Sequence, residues 1–183
     1  MTRLINLVGT RCTDGNLAAL RAWYADHVHQ LLACEGLIEA AMFLREGAGQ
    51  GDAPECLCLY DFESAAAFAE YETGPVRAAA AADRALGWGR DGIEITKRFP
   101  LARLYRRSAG AGTLPARWRV RSLRAGAESH RAIVAGIEGD FVLYLAQGDA
   151  PTTLVFSAGE SALPANVATA WAADYSTVLV WSR

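Results

Sequence analysis

The strongest constraint on this chain is the order in which two hydrophobic periods, one of about two residues and one near 3.6, alternate across residues 2–107. Leu4–Thr10 is short and rich in branched apolar residues, which predicts a strand. From Leu17 to Ala33 the apolar positions 17, 20, 24, 28 and 31 recur at helical spacing. Thr13-Asp-Gly-Asn16 supplies the turn and N-cap ahead of that helix, and Gly36 is placed to end it in the left-handed conformation. Leu37–Arg45 and the alternating Cys56–Phe62 predict two more strands, joined by a loop of Gly, Gln and Asp through Pro54. Ser64 can cap an Ala-rich helix that breaks at Gly74-Pro75 and resumes to Leu86, because proline suits a first helical position. Gly87–Gly92 predicts a loop, and Ile93–Tyr105 a long strand bent or broken at Pro100.

The predicted order is β-α-β-β-α-β, the ferredoxin-like split unit. An antiparallel sheet with both helices on one face leaves the other bare, and an apolar bare face must be buried. A second copy of the unit is the common solution and makes an eight-stranded barrel. The small-residue run Ser108–Pro115 marks a linker, so the expected domains are 1–107 and 116–183 around 108–115. Beyond it the pattern predicts strands at Trp118–Arg124, Phe141–Gln147, Thr152–Ala158 and Ser176–Ser182, and a helix at Ala165–Ala173. Ser129–Ile137 is ambiguous. As a helix it makes the second half a shortened repeat of the first, able to close a barrel within the chain. As a strand it makes that half a β-rich appendage. We adopt the repeat, giving an α+β dimeric α/β-barrel fold of two tandem ferredoxin-like units, the second degenerate.

Composition removes several functional classes. A net charge of −2 provides no concentrated positive surface for nucleic acid. The one basic cluster, Arg103–Arg107, reads as a solvated strand end. The N-terminal apolar stretch is too short for a signal segment, and no run approaches the ~20 apolar residues of a membrane span, so a cytoplasmic protein is expected. Its cysteines, Cys12, Cys34, Cys56 and Cys58, should then be thiols. Cys56 and Cys58 point to one sheet face and lack the turn and second pair of a zinc site, so no metal is expected.

Trp23-Tyr24-Ala-Asp-His27-Val28-His29-Gln-Leu31-Leu32, with Gly36 and Ala40-Ala-Met-Phe43, resembles the EthD-like members of the dimeric α/β-barrel superfamily. Leu59-Tyr60-Asp-Phe62-Glu-Ser64 through Phe68, and Gly87-Trp-Gly89, are similar to that family's third strand, second-helix start and later loop. The resemblance covers residues 2–107. It implies the barrel fold and leaves the activity open among cofactor-free monooxygenases, cyclases, isomerases and haem enzymes. One departure stands out: the proline that often follows the helix histidine is absent, and His29-Gln30 occupies this stretch.

Of the three histidines, His27 lies about 60° from the centre of the apolar helix face at Tyr24 and His29 about 140°. His27 is therefore the candidate general acid/base, with Tyr24 in support. Trp23, Tyr60, Trp88 and Asn6 are candidate ligand-binding residues. Tyr60 shares a strand face with Cys56, Cys58 and Phe62, and alternation alone does not say whether that face meets the helices or the barrel interior. A buried Asn6 needs partners or costs on the order of 1–3 kcal/mol. No nucleophile elbow, dinucleotide fingerprint or HExxH is present. The expectation is a small-molecule-binding barrel, acting as a cofactor-independent cyclase, isomerase or monooxygenase on an aromatic or polyketide-like compound. Its rival is a non-catalytic ligand-binding or assembly barrel; a haem-binding protein, with any of the histidines as axial ligand, is a third. A homodimer is expected, because the resemblance is confined to the half that dimerises in the superfamily.

Overall fold

The computed structural model describes residues 3–12, 15–88, 92–107, 115–125, 127–146, 152–159 and 161–182, with backbone only at 97–99, 103–107 and 127. In chain order the elements are β1 (Leu4–Cys12), α1 (Leu17–Leu31), β2 (Leu37–Gln50), β3 (Cys56–Phe62), α2 (Ala65–Thr73), α3 (Pro75–Trp88), β4 (Ile93–Arg107), β5 (Arg117–Arg124), α4 (His130–Ala135), β6 (Phe141–Ala146), β7 (Thr153–Ser157) and β8 (Ala168–Ser182). The strands form one closed barrel in the order β1-β3-β2-β8-β5-β7-β6-β4. Read from β4, both sets of four run fourth, first, third, second. All eight strands belong to one chain. No described helix is long and apolar enough to cross a membrane.

Two compact units divide the chain. The first comprises Met1–Met42, Pro54–Arg98 and Leu179–Arg183. Here β1 pairs antiparallel with β3 from Leu4↔Phe62 to Thr10↔Cys56. Asn16 and Ser64 cap α1 and α2 as their side chains suggest: Asn16 Oδ1 accepts from Ala19 N–H at 3.0 Å and Ser64 Oγ from Ala67 N–H at 3.1 Å. Pro75 opens α3. Alternation sends Cys56, Cys58, Tyr60 and Phe62 to the helix side of the sheet, where the Phe62 ring meets Phe68 and Tyr71 of α2. That settles the face of Tyr60.

The second unit comprises Phe43–Ala53 and Phe99–Val178. Phe156 of β7 is its centre, with the rings of Phe43, Trp118 and Tyr144 at 5.7, 6.1 and 5.6 Å. Side chains from β2, β5 and β6 converge on it, so these residues share the inner face. On the outer face α4 seals a core of Leu123, Ile133, Ile137, Phe141, Leu143 and Val155. Ser129–Ile137 is thus resolved in favour of helix, with a 3-10 turn at Ala127–Ser129 leading into α4.

Several local expectations are corrected. Ala165–Ala173 is not a helix: the chain enters β8 at Ala168. Alanine favours helix intrinsically, but the alternation of Trp171, Ala173 and Tyr175 against Ala172 and Asp174 satisfies a strand laddered to β5, and pairing overrides propensity. Gly36 does not cap α1 in the left-handed region; α1 ends at Leu31 with Leu32 right-handed. What Gly36 provides is clearance, since a Cβ there would collide with Ala67 Cβ. β2 extends to Gln50, so the loop before Pro54 is shorter than expected. β4 runs unbroken through Pro100, and its ladder with β6 begins one residue later at Leu101, so the missing N–H removes no bond from that ladder. α3 extends to Trp88; Gly89–Asp91, most of the linker and the side chains of Arg103, Arg106 and Arg107 lie outside the described residues.

Candidate functional site

Within the first unit a cavity of about 240 Å³ lies beneath α1 and α3 on the helix side of the sheet. The two-residue period of β1 directs Asn6, Val8 and Thr10 into it, and β3 contributes Tyr60. α1 presents Trp23, Tyr24, His27 and Leu31, spaced three and four apart on one helical face. α3 adds Arg77, Ala80, Ala81 and Arg84 at the same spacing. Small alanines on this face of α3 let the helix approach closely while the longer arginines reach the lining.

His27 is buried, and its Nδ1 lies 2.9 Å from Asp83 Oδ2 on α3. The same oxygen accepts from Trp23 Nε1 at 3.2 Å. The Trp23 indole stacks on the imidazole with ring centres 4.1 Å apart, and Tyr24 meets it edge-on at 5.9 Å. A carboxylate at Nδ1 selects the tautomer that donates there and leaves Nε2 as the acceptor. Nε2 has no hydrogen-bond partner among the described residues. Burial lowers the His27 pKa, opposed by the hydrogen bond and charge of Asp83 and assisted by the charge of Arg84. The ring is therefore neutral near pH 7. The hydrogen bond from His27 holds the Asp83 carboxyl below its ordinary range, against a smaller opposing effect of burial.

Tyr24 and Tyr60 are buried, and desolvation, reinforced by Cys58, pushes both phenols well above their ordinary range. Both stay protonated and can donate a hydrogen bond. Asn6 is only 2% exposed, and its Oδ1 has no hydrogen-bond partner among the described residues. In a folded protein such an amide is satisfied by something else or carries a penalty of about 1–3 kcal/mol. Arg84 makes no ion pair or hydrogen bond among the described residues, and it sits close enough to His27 to lower its pKa.

Of the residues singled out in the sequence, Asn6, Trp23, Tyr24, His27 and Tyr60 line this one cavity. Trp88 does not line it; it ends α3 and packs edge-on to Trp23 at 6.1 Å. Asp83 and Arg84 were missed, because an Ala-rich helix gives no sign in sequence of which carboxylate faces the histidine. Among the described residues no cluster of three His, Cys, Asp or Glu side chains could hold a metal ion. Cys56 Sγ and Cys58 Sγ lie 3.9 Å apart as buried thiols.

No family model matches the sequence, and no curated protein does. Solved structures match in shape. A candidate monooxygenase from Fusobacterium nucleatum superposes with a TM-score of 0.65 at 9% identity, covering 100% of this chain and 95% of that one. The chain has the fold of the dimeric α/β-barrel proteins. An anthrone oxidase-like protein gives 0.59 at 9% identity, with 98% and 92% covered. A candidate chlorite dismutase gives 0.56 at 7%, with 97% and 95% covered. At such identities the likeness is one of architecture: an α+β chain with a closed eight-stranded antiparallel barrel.

Proposed function

We propose that the protein is a cofactor-independent enzyme that binds a one- or two-ring aromatic or polyketide-like compound beneath α1 and α3 and moves a proton with His27. The observation that carries this reading is the dyad: His27 Nδ1 held by Asp83, with Nε2 unpartnered on a cavity wall. Such a base can take a proton from an acidic O–H or C–H. The substrate becomes an enolate or phenolate, and the imidazolium is stabilised by Asp83. Arg84 and the phenols of Tyr24 and Tyr60 offer the anion positive charge and hydrogen bonds. Asn6 fixes the substrate through its unmet amide. Return of the proton to a different atom completes an isomerisation; attack of the carbanion on a carbonyl of the same molecule, whose oxygen takes the proton back, closes a ring; addition of dioxygen to the carbanion gives a hydroperoxide that loses water to leave a ketone. Solved structures described as monooxygenases and as anthrone oxidase-like share the fold, which supports the reading.

A cavity of about 240 Å³ sits below the ~300 Å³ at which small-ligand pockets commonly begin, which favours a compact substrate. A porphyrin does not fit there, and the ring of His130 is engaged through Nε2 with Thr153 Oγ1 at 2.9 Å. The cavity beside His27 therefore does not suit haem.

The test is turnover of a panel of naphthols and hydroxybenzoates in air, followed by mass spectrometry. His27→Ala should lower the rate by about 10²–10⁴-fold with the far-ultraviolet circular dichroism unchanged. Equal rates in the two proteins sink the dyad; ligand binding without turnover in the parent favours the non-catalytic barrel.

The finer assignments belong to the same proposal. The repeated strand order supports two ferredoxin-like units at 1–107 and 116–183, the second degenerate because turns replace the helix after β7. The EthD-like relationship of residues 2–107, the homodimer and the cytoplasmic location stand with it. Native mass spectrometry of freshly purified protein reads assembly and retained ligand together.

A further inference from the structure

A larger cavity, about 790 Å³, lies within the second unit and takes no part in the chemistry above. Its floor is the outward face of β5, where the strand period sets Arg117, Arg119 and Arg121 side by side. Three carboxylates, Glu46, Glu138 and Asp174, share the lining. Two guanidinium groups are already neutralised: Arg117 Nε lies 3.1 Å from Glu46 Oε1, and Arg119 Nη1 2.8 Å from Asp174 Oδ2. Arg121 is not. Its partner is the Ser161 hydroxyl, which accepts a hydrogen bond but supplies no charge. It is half-buried, and burial, then the charge of Arg119, pushes its pKa down while Asp174 partly offsets them. A group that keeps its proton thus sits where its charge is unfavourable. Glu138 is the remaining anion, with no side-chain partner among the described residues. Beyond its internal pairs, the described lining therefore carries one cation and one anion that do not bond each other.

The rim is fixed and not merely adjacent. Ile137 bridges Ser161 in antiparallel fashion, and Ala162 N–H bonds the Gly136 carbonyl at 2.8 Å. A Cβ on Gly136 would collide with the Ala162 carbonyl, and one on Gly159 would lie 2.7 Å from the Glu138 carbonyl. These tight crossings tie the segments bearing Ser161 and Glu138 to each other.

We propose that this cavity is a second ligand site, for a small amino carboxylate whose carboxylate pairs with Arg121 and Ser161 and whose ammonium pairs with Glu138. The guanidinium fork matches a carboxylate in a bidentate plane. Three nearby carboxylates oppose a phosphate dianion, and a described lining with no surplus charge suits a ligand with none.

The test is an amide NMR titration of the whole chain with alanine, propionate and ethylamine, a set carrying both charges, the anion alone and the cation alone. Saturable shifts should centre on Gly136, Gly159 and Ser161, with alanine bound more tightly than propionate and ethylamine weakest. Arg121→Met should weaken alanine by at least about tenfold, while Arg121→Lys, which keeps the charge and the fold but loses the fork, should fall between. His27→Ala should leave the titration unchanged. No saturable shift at those amides, ethylamine binding as well as alanine, inorganic phosphate binding more tightly than alanine, or equal affinity in Arg121→Met overturns the proposal.

Discussion

The two units treat the outer face of their sheets differently. In the first, α1 and α3 roof it, and the space beneath is small, aromatic and holds a buried histidine. In the second, α4 covers part, and turns after β7 leave the outward side of β5 to arginines and carboxylates. Both faces come from the same strand order. Cover therefore decides chemistry. Under a roof, desolvation shifts the titration of His27, Tyr24 and Tyr60 and leaves Asn6 Oδ1 without a partner among the described residues. Without one, water screens the charges, and a ladder of ion pairs is tolerated at little cost or benefit.

The largest stability effect should fall in the second unit. Phe156→Ala removes the ring on which three others pack and should cost about 3–5 kcal/mol in urea unfolding. A loss below about 1 kcal/mol would mean that the inner face is not a packed core. Next comes Asn6→Leu, which replaces a buried amide whose oxygen lacks a partner among the described residues by an apolar group of similar size. It should raise stability by about 1–2 kcal/mol while weakening retention of any co-purified ligand. A destabilised variant would show that the amide is satisfied within the protein and that the first unit holds no polar binding wall.

His27 supplies the pH dependence. Its folded pKa is below the ordinary value of about 6.5, so between the two values the unfolded chain binds the extra proton. Its contribution to stability is fully present above about pH 6.5 and is lost as the pH falls below it. Turnover should show an acid limb in the same region, because only the neutral ring is a base. Asp83→Ala deletes the hydrogen bond and charge that raise the pKa, so the His27 midpoint, followed by NMR of the ring protons, should move further down. An upward move would refute the dyad. The smallest effect should be at the open face: Arg119→Ala breaks an exposed pair and should change stability by less than about 1 kcal/mol.

Much of the first unit was legible in sequence, because its signals are local. Asn16 and Ser64 mark helix starts through bonds to their own first turns, and Pro75 marks one through its fixed φ. The angle of His27 from Tyr24 predicts a side chain near the apolar face, and His27 is among the buried residues of α1. What escaped depends on long-range partners. Asp83 meets His27 across 56 residues, and nothing in Pro75–Trp88 distinguishes it from the other polar positions of that helix. Gly36 was read as a local cap, while its necessity comes from Ala67. Ala165–Ala173 was read by propensity, while the outcome was set by a ladder to β5. The alternation of Arg117, Arg119 and Arg121 along β5 stands in the sequence, but the carboxylates that pair with Arg117 and Arg119 come from β2 and β8.

A barrel whose eight strands come from one chain has a consequence for inheritance. When two identical chains close a barrel, each substitution is made twice, and a change that improves one wall is imposed on its mirror. Here each wall has its own codons. A helix can be lost from one side without touching the other, and the wall beneath α1 can change while β5 changes independently.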